Sequence, residues 1–141
     1  MAGVAFLCVT NSARSQIAEA IARHLAPDLD VFSAGSQPSH VRPMVYTILD
    51  DNGVDCRGLR GKGLLEIPLG DIDVVVNLCA EEVCPVLPPR LERLSWPLPD
   101  PDAYPRDEAR DAFQATFEEL MRRLPPLLRR AEASARWSVT R

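Results

Sequence analysis

Two apolar patterns alternate along the chain. Short, mainly apolar runs at Val4 to Val9 and Ile72 to Leu78 read as strands of a parallel sheet, buried on both faces and so lacking a surface strand's alternation. Between them, apolar residues recur at helical spacing. Ile17, Ala18, Ile21, Ala22 and Leu25 form one stripe; Met44, Val45, Ile48 and Leu49 form a second, opened by Pro43 and closed by Asn52-Gly53. Leu29 to Ser33 predicts a further short strand, and Val54 to Cys56 a brief edge strand. A helix beginning near Asp107 carries Ala109, Ala112, Phe113, Thr116, Phe117, Leu120, Met121 and Leu124 on one broad face. Pro125-Pro126 is expected to interrupt it, with Leu127 to Trp137 as a separate helix. Strands alternating with helices imply a three-layer α/β sandwich around a central four-stranded parallel sheet.

Composition narrows the reading. The 141 residues form one domain, large enough to bury a substantial core. With 46% hydrophobic and 26% charged residues the chain reads as a soluble globular protein. A net charge of −4 argues against nucleic acid or an anionic membrane as a partner, so an anionic substrate needs a local positive field. The N-terminal apolar run is too short to span a membrane and has no basic residue before it, which predicts a cytoplasmic location. Four cysteines in such a chain are expected to be reactive or buried rather than structurally bridged. Seven of the thirteen prolines fall between Pro85 and Pro105, which predicts a long irregular segment.

The chemistry concentrates where the first apolar run meets the first helical stripe. Cys8-Val9-Thr10-Asn11-Ser12-Ala13-Arg14-Ser15 is a Cys-x5-Arg-Ser pattern between a predicted strand and a predicted helix. Backbone N–H groups of a loop in that place, with those at the helix start, make a concave anion site. Arg14 adds a planar, permanently charged fork that fits the oxygens of a tetrahedral oxyanion. The same field favours the thiolate form of Cys8, poising it as a nucleophile beneath its substrate. The plain alternative is a strand-end cysteine and an ordinary helix cap, but the placement is the one the chemistry requires.

Cys79 and Cys84 follow the strand Ile72 to Leu78, so Cys8 and Cys79 both fall at strand carboxyl ends, where ligands of open α/β sheets bind. Two small buried hydrophobes, or a Cys-x4-Cys zinc site, are the alternatives. Cys56 is isolated, and His24 and His40 show no ligand pairing, so no metal is expected. No dinucleotide or flavin fingerprint is present, so no cofactor is expected either.

The text Phe-Leu-Cys…Asn-Ser-x-Arg-Ser-Gln-x-Ala-Glu, running through Glu19, resembles the phosphate-binding loop of the low-molecular-weight tyrosine phosphatase superfamily, in particular its arsenate reductase branch. The resemblance covers residues 4 to about 124, leaving 125–141 as a C-terminal extension. It implies a low-molecular-weight phosphatase-like fold, with Val9, Thr10, Asn11, Ser12, Ala13, Arg14 and Ser15 joining Cys8 around the oxyanion. It also implies a thiol relay. Cys8 attacks arsenate, Cys79 attacks Cys8 with release of arsenite, and Cys84 attacks Cys79, leaving a disulfide for thioredoxin, or else a glutaredoxin or low-molecular-weight thiol, to reduce. Phosphate or sulfate would compete as oxyanions. The four residues between Cys79 and Cys84 are fewer than in the usual pattern of those relatives.

Trp96-Pro97-Leu98-Pro99-Asp100-Pro101 resembles the family's Trp-x-x-x-Asp-Pro segment, which makes Asp100 the general acid; Asp102 is a competing carboxylate, and an ordinary Asp-Pro turn the alternative. By the same resemblance Ser15 supports the Cys8 thiolate and Asn11 holds the strained loop backbone. Glu19, Ser33 and Asn11 match positions that bind a structural potassium ion in some relatives. Lys62 falls near a place where those relatives carry aspartate, so an ammonium paired with Glu19 is expected in place of the ion; a solvated surface lysine is the alternative. Two other readings stay open: a phosphatase using Cys8, Arg14 and Asp100, and a non-enzymatic arsenite-binding module. The cysteine pair favours the reductase, as does Asp102-Ala103 where the phosphatases commonly carry two tyrosines.

Overall fold

The computed structural model describes residues 3–79 and 87–139, with side chains to residue 134. Four strands, β1 (Gly3–Cys8), β2 (Asp30–Gly35), β3 (Val74–Cys79) and β4 (Glu92–Leu98), form one sheet in the order β2-β1-β3-β4, all parallel. Both central strands, β1 and β3, are buried along their whole length, in keeping with their mainly apolar sequences. Helices α1 (Arg14–Leu25), α2 (Pro43–Asp51) and α3 (Arg106–Val139) share one core with Val4, Phe6, Val74, Val76 and Leu78. On the opposite face Ala5, Leu7 and Val75 pack against Ile67, Ile72, Leu87 and Leu91. Among the described residues this third layer is made of 3₁₀ turns and loop rather than α-helix.

Three expectations are corrected. The fourth strand is Glu92–Leu98, whereas Val54 to Cys56 lies in no strand. β4 falls inside the segment whose prolines predicted irregular chain. It tolerates Pro97 because it is an edge strand and its register against β3 slips there: Asn77 faces Ser95 but Cys79 faces Leu98. That extra residue absorbs the proline's missing donor. Helix α3 also runs through Pro125 and Pro126 instead of stopping. Each interior proline costs about 3 kcal/mol. Leu124, Leu127, Leu128 and Ala131 stay in the core across the interruption, and each large apolar side chain so buried returns about 1.5–3 kcal/mol. Arg130 further ties the distal half to Glu92 of β4 at 2.8 Å.

Candidate active site

The eight-residue stretch from Cys8 to Ser15 turns sharply from the end of β1 into α1. Its backbone is held from outside: the Val9, Thr10 and Ser12 carbonyls accept from the N–H groups of Gln37 (2.8 Å), Ser39 (2.9 Å) and Arg42 (3.0 Å). Peptide planarity then directs the N–H groups of Thr10, Asn11 and Ala13 the other way, into the loop's concavity. Gly35 makes this close approach feasible, because a Cβ there would meet the backbone of Cys8, Val9 and Asn11.

Asn11 has φ of 51°, in the left-handed region a non-glycine residue rarely adopts. Its buried side chain stabilises that conformation: Oδ1 accepts from the Lys62 N–H at 2.8 Å and from Gln16 Nε2 at 3.0 Å. Its Nδ2 donates to Ser15 Oγ at 2.8 Å. The Ser15 hydroxyl, having accepted from Asn11, keeps its own proton for Cys8 Sγ, also 2.8 Å away. Cys8 is buried, and Arg14, equally buried, donates from NH1 to the Leu98 carbonyl at 3.0 Å.

Beneath the loop lies a second polar layer. Glu19 Oε1 accepts from Ser33 Oγ at 2.6 Å and lies 3.4 Å from Lys62 Nζ; Oε2 lies 2.8 Å from Arg23 NH1. Lys62 Nζ also donates to the Arg60 carbonyl at 2.8 Å. Burial pushes the Lys62 amine below its ordinary value of 10.5, with the facing Glu19 carboxylate opposing the fall. So Lys62 belongs to the interior, and the surface alternative is excluded by its near-complete burial.

Cys79 ends β3 beside β1, its N–H accepted by Asn77 Oδ1 at 3.1 Å. Together with Leu7, Gly35, Ser36, Leu64 and Asn77, Cys8 and Cys79 line one pocket of about 30 Å³. Cys8 and Cys79 therefore share a single small space at the strand carboxyl ends. Cys84 lies outside the described residues. Asp100 caps a short turn, its Oδ1 accepting from the Asp102 N–H at 3.0 Å, two residues beyond the Leu98 carbonyl that Arg14 grips. No cluster of three or more metal-ligating side chains occurs among the described residues. Cys56 is a thiol packed against the main core, away from this pocket's lining.

Residues 3–136 match the protein family described as low molecular weight phosphotyrosine protein phosphatase. The chain belongs to that family. Within the family, an arsenate reductase of Halalkalibacterium halodurans is 35% identical over 124 residues, covering 84% of this chain and 89% of the relative. The thioredoxin-dependent arsenate reductase of Corynebacterium glutamicum superposes with a TM-score of 0.77 at 31% identity, over 95% of this chain. The present chain spans 63% of that longer protein. A solved arsenate reductase in the phosphate binding state gives a TM-score of 0.74 at 30% identity, over 93% of this chain and 99% of that one.

Against the family pattern read from sequence, the structure brings together Cys8, Asn11, Arg14, Ser15, Glu19, Ser33, Lys62 and Cys79. It also adds residues that sequence reasoning passed over. Gln16 Nε2 donates to the Asn11 carbonyl at 2.8 Å and to the Arg60 carbonyl at 2.7 Å, fastening the oxyanion loop to the segment that delivers Lys62. A polar residue inside the buried face of an amphipathic helix was the available signal. Asn77, the one polar residue in the apolar run of β3, was another. No helix among the described residues is long and apolar enough to cross a membrane.

Proposed function

We propose that this chain reduces arsenate to arsenite by a thiol–disulfide relay through Cys8, Cys79 and Cys84. The observation that carries the reading is the shared pocket of Cys8 and Cys79, since a phosphatase has no use for a second thiol beside its nucleophile. In the first step the Cys8 thiolate forms an S–As bond as hydroxide leaves, protonated to water by Asp100. Cys79 then attacks Cys8 Sγ. The S–As bond breaks with its electron pair remaining on arsenic, so As(V) becomes As(III) and a Cys8–Cys79 disulfide forms. Cys84 attacks Cys79, restoring Cys8 as a thiol and leaving Cys79–Cys84 for an external dithiol. Arg14 and the inward N–H groups of the loop bind the oxyanion, and Ser15 stabilises the Cys8 thiolate. Thioredoxin is the reductant of first choice, supported by the similarity to the thioredoxin-dependent enzyme of C. glutamicum.

The test is arsenate-dependent NADPH oxidation with thioredoxin and thioredoxin reductase, run beside Cys84→Ser. Continuous turnover in the wild type and about one equivalent of arsenite per Cys84→Ser chain is the expected pair of results. Hydrolysis of an aryl phosphate without arsenate turnover would hand the site to the phosphatase reading.

Lys62 fills the place of a structural cation in this scheme, its ammonium 3.4 Å from the Glu19 carboxylate. Exchanging sodium for potassium at equal ionic strength therefore leaves the rate unchanged. A severalfold rise in potassium would show that the ammonium does not satisfy Glu19.

A further inference from the structure

The turn that carries Asp100 is fastened to the oxyanion loop by a side chain with no part in the relay. Arg42 caps the start of α2, and its backbone N–H is bound to the Ser12 carbonyl at 3.0 Å, on the outer rim of the loop. From that fixed point its Nε donates to Asp102 Oδ2 at 2.7 Å, while NH1 meets His40 Nε2 at 3.2 Å. Asp102 in turn donates its N–H to Asp100 Oδ1 at 3.0 Å, and the Ala103 N–H donates to the Asp100 carbonyl at 3.1 Å. The far end of the same segment is gripped by Arg14 at the Leu98 carbonyl. The acid-bearing turn is thus pinned at two points, four residues apart in contour, to the loop it must serve. Asp102 is committed to Arg42, so it is not an equal competitor for the role of proton donor.

We propose that Arg42 is a positioning residue, holding the Asp100 carboxyl in register with the oxyanion loop through Asp102. The kinetic part of this inference rests on the arsenate reductase reading. The Arg42 and Asp102 side chains are 29% and 40% exposed, so the pair acts with the modest strength of a partly screened ion pair and an effect of about fivefold is expected.

The test compares wild type, Arg42→Gln, Asp100→Asn and the double variant. Arg42→Gln lowers kcat for arsenate about fivefold with KM little changed, and the same change made in Asp100→Asn has no further effect, because both act through one carboxyl. In Arg42→Gln, amide hydrogen exchange at Asp102 and Ala103 also rises, whereas exchange in β1 and α1 does not. An equal loss of kcat in both backgrounds, or unaltered exchange in the turn, overturns the proposal. If the wild type forms no arsenite, the reductase reading alone fails; the four proteins are then compared on p-nitrophenyl phosphate, whose leaving group draws on the same acid, alongside the exchange measurement.

Discussion

Cys8→Ser abolishes arsenite formation, lowering the rate on the order of 10⁴-fold or more, the scale on which removal of a covalent nucleophile acts. Two properties of sulfur are lost together. A serine hydroxyl is not ionised at neutral pH, and oxygen cannot replace the Cys8 sulfur in the disulfide that carries two electrons away from arsenic. Substrate binding survives, because the anion site is built from backbone N–H groups and Arg14, and the Asn11–Ser15 hydrogen bond remains. The discriminating measurement pairs arsenite production with calorimetric titration by phosphate. Undiminished phosphate affinity with no turnover is the expected outcome; residual multiple turnover would place the nucleophile elsewhere.

Glu19→Gln destabilises the fold by about 3–5 kcal/mol, the cost of leaving a buried charge without its partner. The stranded charge is Lys62, whose side chain is 9% exposed and would keep only the Arg60 carbonyl as an established acceptor. Arg23, at 48%, can turn to solvent. The Glu19→Gln/Lys62→Met double variant recovers part of the loss, and urea denaturation of the four proteins reads the coupling. Strict additivity would mean that the two groups do not interact. The pH dependence has a definite sign. Lys62 titrates below 10.5 in the folded protein, so the unfolded chain binds more protons between the lowered value and 10.5. Over that window the wild type gains stability relative to Lys62→Met as pH rises. Because the Lys62 N–H also holds Asn11, disturbance of this layer reaches the loop above it directly.

Local chemistry was legible where the sequence constrains it locally. The strand, loop and helix around Cys8 follow from an apolar run, a polar turn and a 3.6-residue stripe, and the structure keeps all three within a residue or two. Lys62 and Glu19 are paired in the sequence reading because the family resemblance puts Glu19 at a cation-binding position and Lys62 near a place where relatives carry aspartate. What escaped depends on tertiary context. Proline content argued against a strand at 92–98, yet an edge position with a register slip removes the objection, since no neighbour needs the missing N–H. The paired prolines of α3 argued for a break, and packing outweighed them. Nothing local marks Arg42; only the fold brings it to Asp102, 60 positions away.

Those paired prolines have a consequence for how α3 comes apart. By their covalent structure Pro125 and Pro126 cannot donate to the carbonyls of Met121 and Arg122, so the helix is one rod in shape but two hydrogen-bonded units in cooperativity. Unzipping that starts at the C-terminus meets no continuous ladder at this joint, and among the described residues it is resisted there by Leu127, Leu128, Ala131 and the Arg130–Glu92 pair. The chain after Pro126 is therefore expected to open before the segment that carries Phe113, Phe117 and Leu120, which hydrogen exchange along α3 would read.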